Sequence, residues 1–148
     1  MNRYKYGKDI EQALQIAIEA HKGQNDLEGK PYILHVLRVM HSVNTDKQKI
    51  TAILHDVVED TDWTFDKLKQ EGFSDEIVKA IDSVTKRKGE EYLTFVNRSN
   101  KNVIGRIVKI ADITDNIDIK RIKKPTKKTF EMMKRYRKAL RILKVNCN

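Results

Sequence analysis

The stretch from Thr51 to Asp62 places ionisable side chains where an amphipathic helix would bury apolar ones. In TAILHDVVEDTD, four such groups lie among Ile, Leu and Val residues: His55, Asp56, Glu59 and Asp60. Residues four apart share a helical face, so His55 is predicted to lie above Glu59, and Asp56 above Asp60. Buried ionised groups without partners are costly. A divalent cation would resolve this conflict, because imidazole and carboxylate are good ligands for first-row metals.

Two more ionisable residues occur in apolar segments of the chain. His35 lies in YILHVLRVM, and Asp112 lies in VKIADITDN. One helix offers only two adjacent ligands, so a cation held by His55 and Asp56 needs ligands from other elements. His35 and Asp112 are the candidates. A mixed nitrogen and oxygen set favours Mn²⁺, Fe²⁺ or Mg²⁺ over the thiolate sites of structural zinc.

Helices are predicted to position these side chains in the first half of the chain. Apolar spacing predicts a helix from Asp9 that stops at Gly23, and a second in PYILHVLRVMHSV. The third is predicted to begin with Asp46 as N-cap and to run through KQKITAILHDVVED. A short helix, FDKLKQEG, is predicted to end at Gly72, and Ser74 is predicted to cap DEIVKAIDSVT.

The second half of the chain continues the helical pattern. EEYLTFVNRSN and NVIGRIVKIADITDNIDI read as two more helices. The β-branched residues of VIGRIVKI leave a strand possible on propensity alone, but the isoleucines fit helical spacing better. A long final helix over 126–145 is predicted to turn five apolar side chains inward: Phe130, Met133, Tyr136, Leu140 and Leu143. The sequence predicts one all-α domain over 1–148, a bundle of seven or eight helices with its core at about 8–143.

Composition narrows the class of protein. The 148 residues include 6 Gly, 2 Pro and one cysteine, Cys147, which excludes a disulfide framework and a thiolate metal site. No apolar run approaches the roughly 18 residues of a membrane span, and the polar N-terminus does not resemble a signal peptide. We therefore expect a soluble, cytoplasmic protein.

Positive charge is concentrated at the C-terminal end. Residues 120–148 hold 12 Lys or Arg against one acidic residue, a balance of +11, whereas residues 1–119 hold 18 basic and 20 acidic residues, a balance of −2. This basic segment could attract nucleic acid, an anionic surface or a phosphorylated small molecule, or it could be a solvated helix face.

The order of the candidate ligands resembles a known family. His35, His55-Asp56 and Asp112 match the H…HD…D pattern of the HD superfamily of metal-dependent phosphohydrolases, whose fold is an all-α bundle. Six motifs resemble, in order, the hydrolase domain of Rel/Spo proteins and small stand-alone alarmone hydrolases: AHKGQ, GKPYILHVLRV, TAILHDVVEDT, VTK, VKIADITDN and YRKALRIL. Those enzymes remove pyrophosphate from the 3′ position of guanosine alarmones such as ppGpp.

The resemblance implies a role for each matching residue. It implies one divalent ion, Mn²⁺ first and Mg²⁺, Fe²⁺ or Zn²⁺ as alternatives, with four ligands: His35, His55, Asp56 and Asp112. Glu59 and Asp60 match carboxylates that orient or deprotonate the attacking water. Lys86 and Arg98 could neutralise a diphosphate, and Asn116 matches a position that contacts the nucleotide sugar. His21 is expected to be structural, His41 to lie at the surface and Tyr92 to pack.

Base recognition departs from the family pattern. Asp26 and Leu27 stand where the family has an Arg-Lys pair that contacts guanine, and neither can replace a stacking guanidinium. Ile113 and Ile119 replace family Arg and Thr. The substrate could therefore be a guanine alarmone, an adenine alarmone, another pyrophosphorylated nucleotide or something smaller.

Two functions follow as hypotheses. The first is hydrolysis of a pyrophosphorylated nucleotide, without synthesis, because 148 residues leave no room for the companion synthetase domain. The second is a sensor of nucleotides or nucleic acid that binds without turnover through the basic C-terminal helix. The presence of every ligand and both acidic residues favours the enzyme.

Overall fold

The structure is a computed structural model that describes the backbone of residues 5–145 and the side chains of residues 9–145. Cys147 lies outside the described residues. The elements in chain order are α1 Lys5–Ala20, α2 Ile33–His41, α3 Asp46–Leu54, α4 Val57–Asp60, α5 Phe65–Gln70, α6 Asp75–Ser83, α7 Tyr92–Asn100, α8 Val103–Asn116, a 3₁₀ turn Ile119–Arg121 and α9 Lys127–Lys144.

The described residues form helices and no strand, which confirms the predicted all-α class. The nearest approach to sheet structure among them is an isolated bridge between Asn25 and Pro31. The segment from Val103 is helical despite its β-branched residues, and its N-cap Asn102 accepts a hydrogen bond from the N–H of Gly105 at 2.8 Å. None of the described helices is long and apolar enough to cross a bilayer.

Helix α3 is the centre of the bundle. It packs against α1, α2, α6 and α8, and Ile50, Ile53 and Leu54 are completely buried. The main apolar cluster joins these residues to side chains of α1, α2 and α6. A second cluster joins α8 to α2 and α3. Central packing of α3 fixes the position of its C-terminal end, where His55 and Asp56 follow.

The third helix does not continue through Asp60 as predicted. It ends at Leu54; His55 and Asp56 form a turn, and the one-turn helix α4 follows. Nδ1 of His55 lies 2.6 Å from the carbonyl oxygen of Ala52, which in a continuous helix would accept the N–H of Asp56. The imidazole thus competes with the backbone and ends the helix.

Two smaller predictions were also wrong. The N-cap of α3 is Thr45, not Asp46: its hydroxyl accepts the N–H of Gln48, and the Gln48 side chain returns to the Thr45 N–H in a capping box. Phe130 is 49% exposed, whereas Met133, three residues later, is buried. At helical spacing Phe130 lies about 60° from Met133, beyond the edge of the buried arc of α9. The predicted cap of α6 by Ser74 is confirmed.

Candidate functional site

Two helices and one turn bring the predicted ligands together at the base of a cleft. His35 comes from α2, His55 and Asp56 from the turn after α3, and Asp112 from α8. His35 is 3% exposed, His55 1% and Asp112 6%, so all three lie in the protein interior. The packing of α3 between α2 and α8 therefore gathers side chains that are 77 positions apart in the sequence.

The distances among these groups are short enough for them to hold one cation. One ligand atom from each of His35, His55 and Asp56 lies within 4.8 Å of the other two. Oδ1 of Asp112 borders the same space, 3.1 Å from Nε2 of His35 and 3.5 Å from Nε2 of His55. The imidazole ring centroids of the two histidines are 5.5 Å apart.

Both imidazoles present Nε2 to the cluster. Nδ1 of His55 faces a carbonyl oxygen of its own helix, and Nδ1 of His35 lies 2.6 Å from Oδ2 of Asp115. Because these oxygens can only accept, each Nδ1 carries a proton. Nε2 of His55 is buried and makes no hydrogen bond within the described part of the chain, although Oδ2 of Asp56 is 2.9 Å away. A buried nitrogen without a hydrogen-bond partner fits a metal ligand.

The electrostatics of the cluster also fit a cation. Burial lowers the pKa of His55, but the carboxylates of Asp56 and Asp112 outweigh it, so its pKa lies well above the usual range. The pKa of His35 is raised as well, through hydrogen bonds to Asp112 and Asp115 that outweigh burial. The cluster therefore favours positive charge at the Nε2 atoms, which protons or a divalent ion can supply.

Asp112 is held by neighbours on its own helix. Nζ of Lys109 lies 3.0 Å from Oδ2, and Nδ2 of Asn116 donates to Oδ1 at 3.1 Å. Burial raises the pKa of Asp112, but Lys109 and the two histidines outweigh it and hold the pKa well below its usual range. Lys109 is itself buried, with its ammonium 4.6 Å from the ring centroid of Phe95. Asp112 is therefore ionised and oriented before any ligand binds.

Both predicted catalytic acids line a cavity of about 420 Å³ above this cluster. Loss of solvation and the nearby carboxylate of Asp56 raise the pKa values of Glu59 and Asp60. Oε1 of Glu59 accepts the N–H of Lys86 at 2.6 Å, which ties the loop after α6 to α4. Lys86 and Asn116 line the same cavity.

Arg98 does not line that cavity. Its guanidinium forms a two-pronged ion pair with Glu90, with both N···O distances 2.9 Å. It also donates to the carbonyl oxygens of Asp82 and Thr85, each at 2.7 Å. The structure thus places Arg98 as a brace for the loop between α6 and α7.

A second compartment of about 250 Å³ adjoins the first. The two share Tyr32, Asn116 and Tyr136 in their walls. Asp26 and Leu27 line the second compartment, on the loop between α1 and α2, and Leu27 is 86% exposed. The cleft therefore has a deep side at the cation cluster and an outer side at this loop.

The loop between α1 and α2 forms its own hydrogen-bonded hairpin. The N–H of Asp26 donates to the carbonyl of Lys30 at 2.8 Å, and the N–H of Tyr32 to that of Gln24 at 2.9 Å. Oδ1 of Asp26 accepts the backbone N–H groups of Glu28 and Lys30, each at 2.9 Å. One oxygen of the Asp26 carboxylate therefore stabilises the conformation of its own loop.

The other sequence expectations divide between core and surface. His21 is buried and bonds Oε1 of Gln24 through Nδ1 at 2.8 Å, and His41 is exposed. Tyr92 packs against Phe95 and Tyr136 and also borders the cavity. Ile113 is fully buried, so it packs in the core and does not reach the cleft.

Sequence reasoning missed several residues at the site. The hydroxyl of Tyr32 donates to Oδ2 of Asp56, and Arg135 lies over the ring of Tyr92, 4.7 Å from its centroid. Asp115 contacts His35. Its spacing of three residues from Asp112 puts both on one helical face, which is a signal that the sequence did offer.

Comparisons with known proteins agree with this geometry. A family model described as HD domain matches residues 13–141. A guanosine-3′,5′-bis(diphosphate) 3′-pyrophosphohydrolase of Aquifex aeolicus is 30% identical over 125 residues, 76% of this chain and 18% of that protein. A probable GTP pyrophosphokinase of Mycobacterium leprae is 30% identical over 131 residues, 80% of this chain and 16% of that protein. The chain thus spans less than a fifth of the length of these relatives.

A solved structure shows the same fold. It is that of a metazoan ortholog of SpoT, described as hydrolysing ppGpp; it has a TM-score of 0.74 and 24% identity, and the match covers 91% of this chain and 84% of that chain. The family match spans most of the described residues, including all four predicted ligands. On these grounds the chain belongs to the HD domain family.

Proposed function

We propose that this protein is a metal-dependent phosphohydrolase that removes the 3′-pyrophosphate from a ppGpp-like alarmone. The observation that carries the proposal is the meeting of two Nε2 atoms with the carboxylates of Asp56 and Asp112 at the base of a cleft. The names of the Aquifex relative and the SpoT ortholog support the choice of substrate class. The altered loop at Asp26 and Leu27 leaves the base to be determined by experiment.

Four residues would hold one divalent ion in this proposal: His35, His55, Asp56 and Asp112. Their mixed nitrogen and oxygen donors suit Mn²⁺, which we propose first, with Mg²⁺, Fe²⁺ and Zn²⁺ as alternatives. When bound, such an ion polarises a phosphoryl oxygen and makes water a better nucleophile at neutral pH. The ionised state of Asp112 and the two Nδ1–H tautomers prepare the donors for it.

Glu59 and Asp60 would orient the attacking water and accept its proton. Both line the cavity beside Asp56, and both have pKa values above the usual range. A carboxylate whose pKa lies closer to the working pH is a stronger base. The hydrogen bond from the N–H of Lys86 fixes one oxygen of Glu59 and leaves the other for the water.

Cations and hydrogen-bond donors along the cavity would bind the substrate. Lys86 and Arg135 can neutralise phosphate oxygens, and Asn116 lies between the two compartments, where a sugar would join them. Arg98 would act on substrate only through the loop that it braces. We place the activity in the cytoplasm, because a single cysteine suits a reducing compartment.

The test is turnover by the purified protein with Mn²⁺ and a panel of 3′-pyrophosphorylated guanine and adenine nucleotides. We expect release of pyrophosphate from at least one of them. Asp56→Asn should lower turnover by more than about 100-fold. Loss of a hydrogen-bond partner of a metal ligand typically costs about 10- to 100-fold, and this substitution alters a proposed ligand itself. The exposed Asp66→Asn serves as the matched control. Absence of turnover across the panel, or wild-type turnover by Asp56→Asn, would overturn the proposal.

A second candidate is a sensor that binds nucleic acid without turnover. The exposed Lys and Arg side chains of 123–144 favour it, because none of them forms an ion pair within the described residues. If it is correct, RNA or DNA affinity will fall steeply with salt, and no nucleotide of the panel will be hydrolysed. Weak binding that does not depend on salt would eliminate this candidate.

A further inference from the structure

Asp115 lies between His35 and two arginines. Its Oδ2 is 2.6 Å from Nδ1 of His35. Arg38 donates to both of its oxygens, from Nε at 2.8 Å and from Nη2 at 3.2 Å, and Nη2 of Arg121 is 3.3 Å from Oδ2. The Asp115 side chain is only 12% exposed, so solvent weakens these contacts little. Asp115 therefore connects the histidine to two cations at the edge of the second compartment.

Two arginines fix the carboxylate of Asp115. Arg38 donates to both of its oxygens, and Nη2 of Arg121 lies 3.3 Å from Oδ2. A carboxylate that faces two guanidinium groups accepts hydrogen bonds and donates none. Its partner at Nδ1 must therefore carry the proton, and the two-pronged contact with Arg38 fixes the direction in which the carboxylate points.

The hydrogen bond at Nδ1 also determines the state of the other ring nitrogen of His35, Nε2. Neutral histidine has two tautomers, and the hydrogen bond at one nitrogen decides which nitrogen has a free lone pair. With the proton on Nδ1, the lone pair of His35 is on Nε2, the atom that faces Asp112 at 3.1 Å. The same bond restrains rotation of the ring, so Nε2 stays aimed at the cluster.

Position on the helix strengthens this interpretation. Asp112 and Asp115 are one turn apart on α8, so one helix supplies both a cluster carboxylate and the support of a cluster histidine. Asp115 is not among the residues that line either compartment of the cleft. Direct contact with substrate therefore does not explain why a carboxylate is placed at this position.

We infer that Asp115 is a positioning residue, which holds His35 in the Nδ1–H tautomer so that Nε2 binds the cation. The inference rests on the proposed function, because it requires His35 to be a ligand. Hydrogen-bond partners behind a metal-binding histidine typically contribute 10- to 100-fold to metal affinity. Asp115 is expected to contribute by that amount.

The experiment compares Asp115→Asn with a matched control, Asp118→Asn. The control removes the same charge three residues later, and asparagine preserves the cap that Asp118 gives to Lys120. Mn²⁺ affinity is measured by titration of the metal-free proteins. We expect the affinity of Asp115→Asn to fall by about 10- to 100-fold and that of Asp118→Asn to remain within about twofold of wild type.

A spectroscopic measurement separates positioning from general damage. In the ¹⁵N NMR spectrum of the Zn²⁺-loaded wild type, the ring of His35 should show a protected Nδ1–H. In Asp115→Asn this signal should exchange rapidly or vanish, while the ring signals of His55 remain, because the carbonyl partner of His55 is unchanged. Thermal unfolding verifies that the variant is folded.

The outcomes are distinct. If Asp115→Asn is folded and binds Mn²⁺ with wild-type affinity, the inference is wrong and the proposed function is unaffected. If wild-type protein binds no divalent ion, both are overturned. Should Asp115→Asn fail to fold, Arg38→Gln replaces it: loss of the two-pronged contact should weaken Mn²⁺ binding by several fold, and unchanged affinity would refute the role of Asp115.

Discussion

At the scale of single residues, the carboxylates of Asp56 and Asp112 each contact a hydrogen-bond donor or a cation within the site. Asp112 faces Lys109 on one oxygen and the two histidines on the other. Asp56 accepts the hydroxyl of Tyr32. Removal of a partner leaves a buried charge uncompensated, which costs more than the contact itself contributes.

Lys109→Met tests this balance directly. Methionine keeps the volume but removes the ammonium that faces Asp112, so the metal-free variant should lose about 3–5 kcal/mol in its free energy of unfolding. Urea denaturation measures the loss. The exposed Lys101→Met is the control, with an expected change within about 0.5 kcal/mol. A similarly small change in Lys109→Met would show that Asp112 does not depend on this lysine.

Which residues converge was predictable from sequence, but their hydrogen-bond partners were not. His35, His55, Asp56 and Asp112 stand out because an ionisable group in an apolar segment needs a compensating partner. Arg98 looked like any other cation near the site, since nothing local reveals that Glu90 occupies its guanidinium.

At the scale of elements, α8 unites the site with the packing of the bundle. Lys109, Asp112 and Asn116 lie on the face of α8 that borders the cavity. Near its first turn, Gly105 brings its backbone close to Ser83 at the end of α6: an added Cβ would lie 1.9 Å from the Ser83 Oγ and 3.1 Å from its Cβ.

Gly105→Ala should therefore destabilise the protein. An alanine normally stabilises a helix by about 1 kcal/mol relative to glycine. Here we expect a net loss of about 1–3 kcal/mol, because the methyl group would overlap a buried serine that bonds the carbonyl of Ala80 at 2.6 Å. The double variant with Ser83→Ala should recover much of this loss. Stabilisation by Gly105→Ala alone would contradict the close approach of α6 and α8.

The stabilisation of the loop between α6 and α7 by Glu90 depends on pH. Its hydrogen bonds with Arg98 bring its pKa to about 2, below the ordinary 4.5. Because the folded-state pKa is depressed, the stabilisation is fully present above pH 4.5 and is lost as pH falls from there towards 2. Glu90→Gln should thus cost about 1–3 kcal/mol at neutral pH and progressively less in acid.

Thermal and urea unfolding across that range of pH measure the effect. Glu91→Gln is the matched control, since Glu91 is exposed and its carboxylate accepts a hydrogen bond from the hydroxyl of Thr94 at 3.3 Å. A constant difference between Glu90→Gln and wild type at all pH values would argue against ionic bracing of the loop.

The elements themselves were predictable where apolar spacing was regular. The helices around Ile10, Ser74 and Ile110 follow from that spacing, and the cap at Ser74 was predictable as well. The interruption after Leu54 was not predictable, because it depends on a hydrogen bond from the His55 side chain to the backbone carbonyl oxygen of Ala52. The prediction for Phe130 was wrong for another reason: apolar spacing shows that a helix has a buried face but not how wide that face is, and Phe130 lies beyond its edge.

At the scale of the whole molecule, exposed positive charge is concentrated in the C-terminal part of the chain that borders the cleft. Arg121 borders the second compartment and Arg135 borders the first. Ten further Lys or Arg side chains between residues 120 and 144 are exposed: Lys120, Lys123, Lys124, Lys127, Lys128, Lys134, Arg137, Lys138, Arg141 and Lys144. Such a field raises the local concentration of anions.

The double variant Lys134→Glu/Lys138→Glu tests electrostatic steering of the proposed substrate. These exposed side chains are not in the walls of either compartment, so the chemistry should be intact. We expect kcat/KM to fall by about tenfold at low ionic strength and to approach the wild-type value at high salt, where screening shortens the reach of charges. The reversal Lys69→Glu, outside the basic segment, is the control. Equal kcat/KM for the double variant and the wild type at low salt would exclude steering.

The hairpin between α1 and α2 has a consequence for evolution and engineering. Its backbone hydrogen bonds are made within the hairpin, and it carries Asp26 and Leu27 to the outer compartment. The four proposed metal donors lie instead on α2, on α8 and in the turn after α3. Under the proposed function, nucleotide preference can therefore diversify by exchange of this short surface hairpin without change to the proposed metal donors. Chimaeras that carry this hairpin from a relative offer a direct route to altered selectivity.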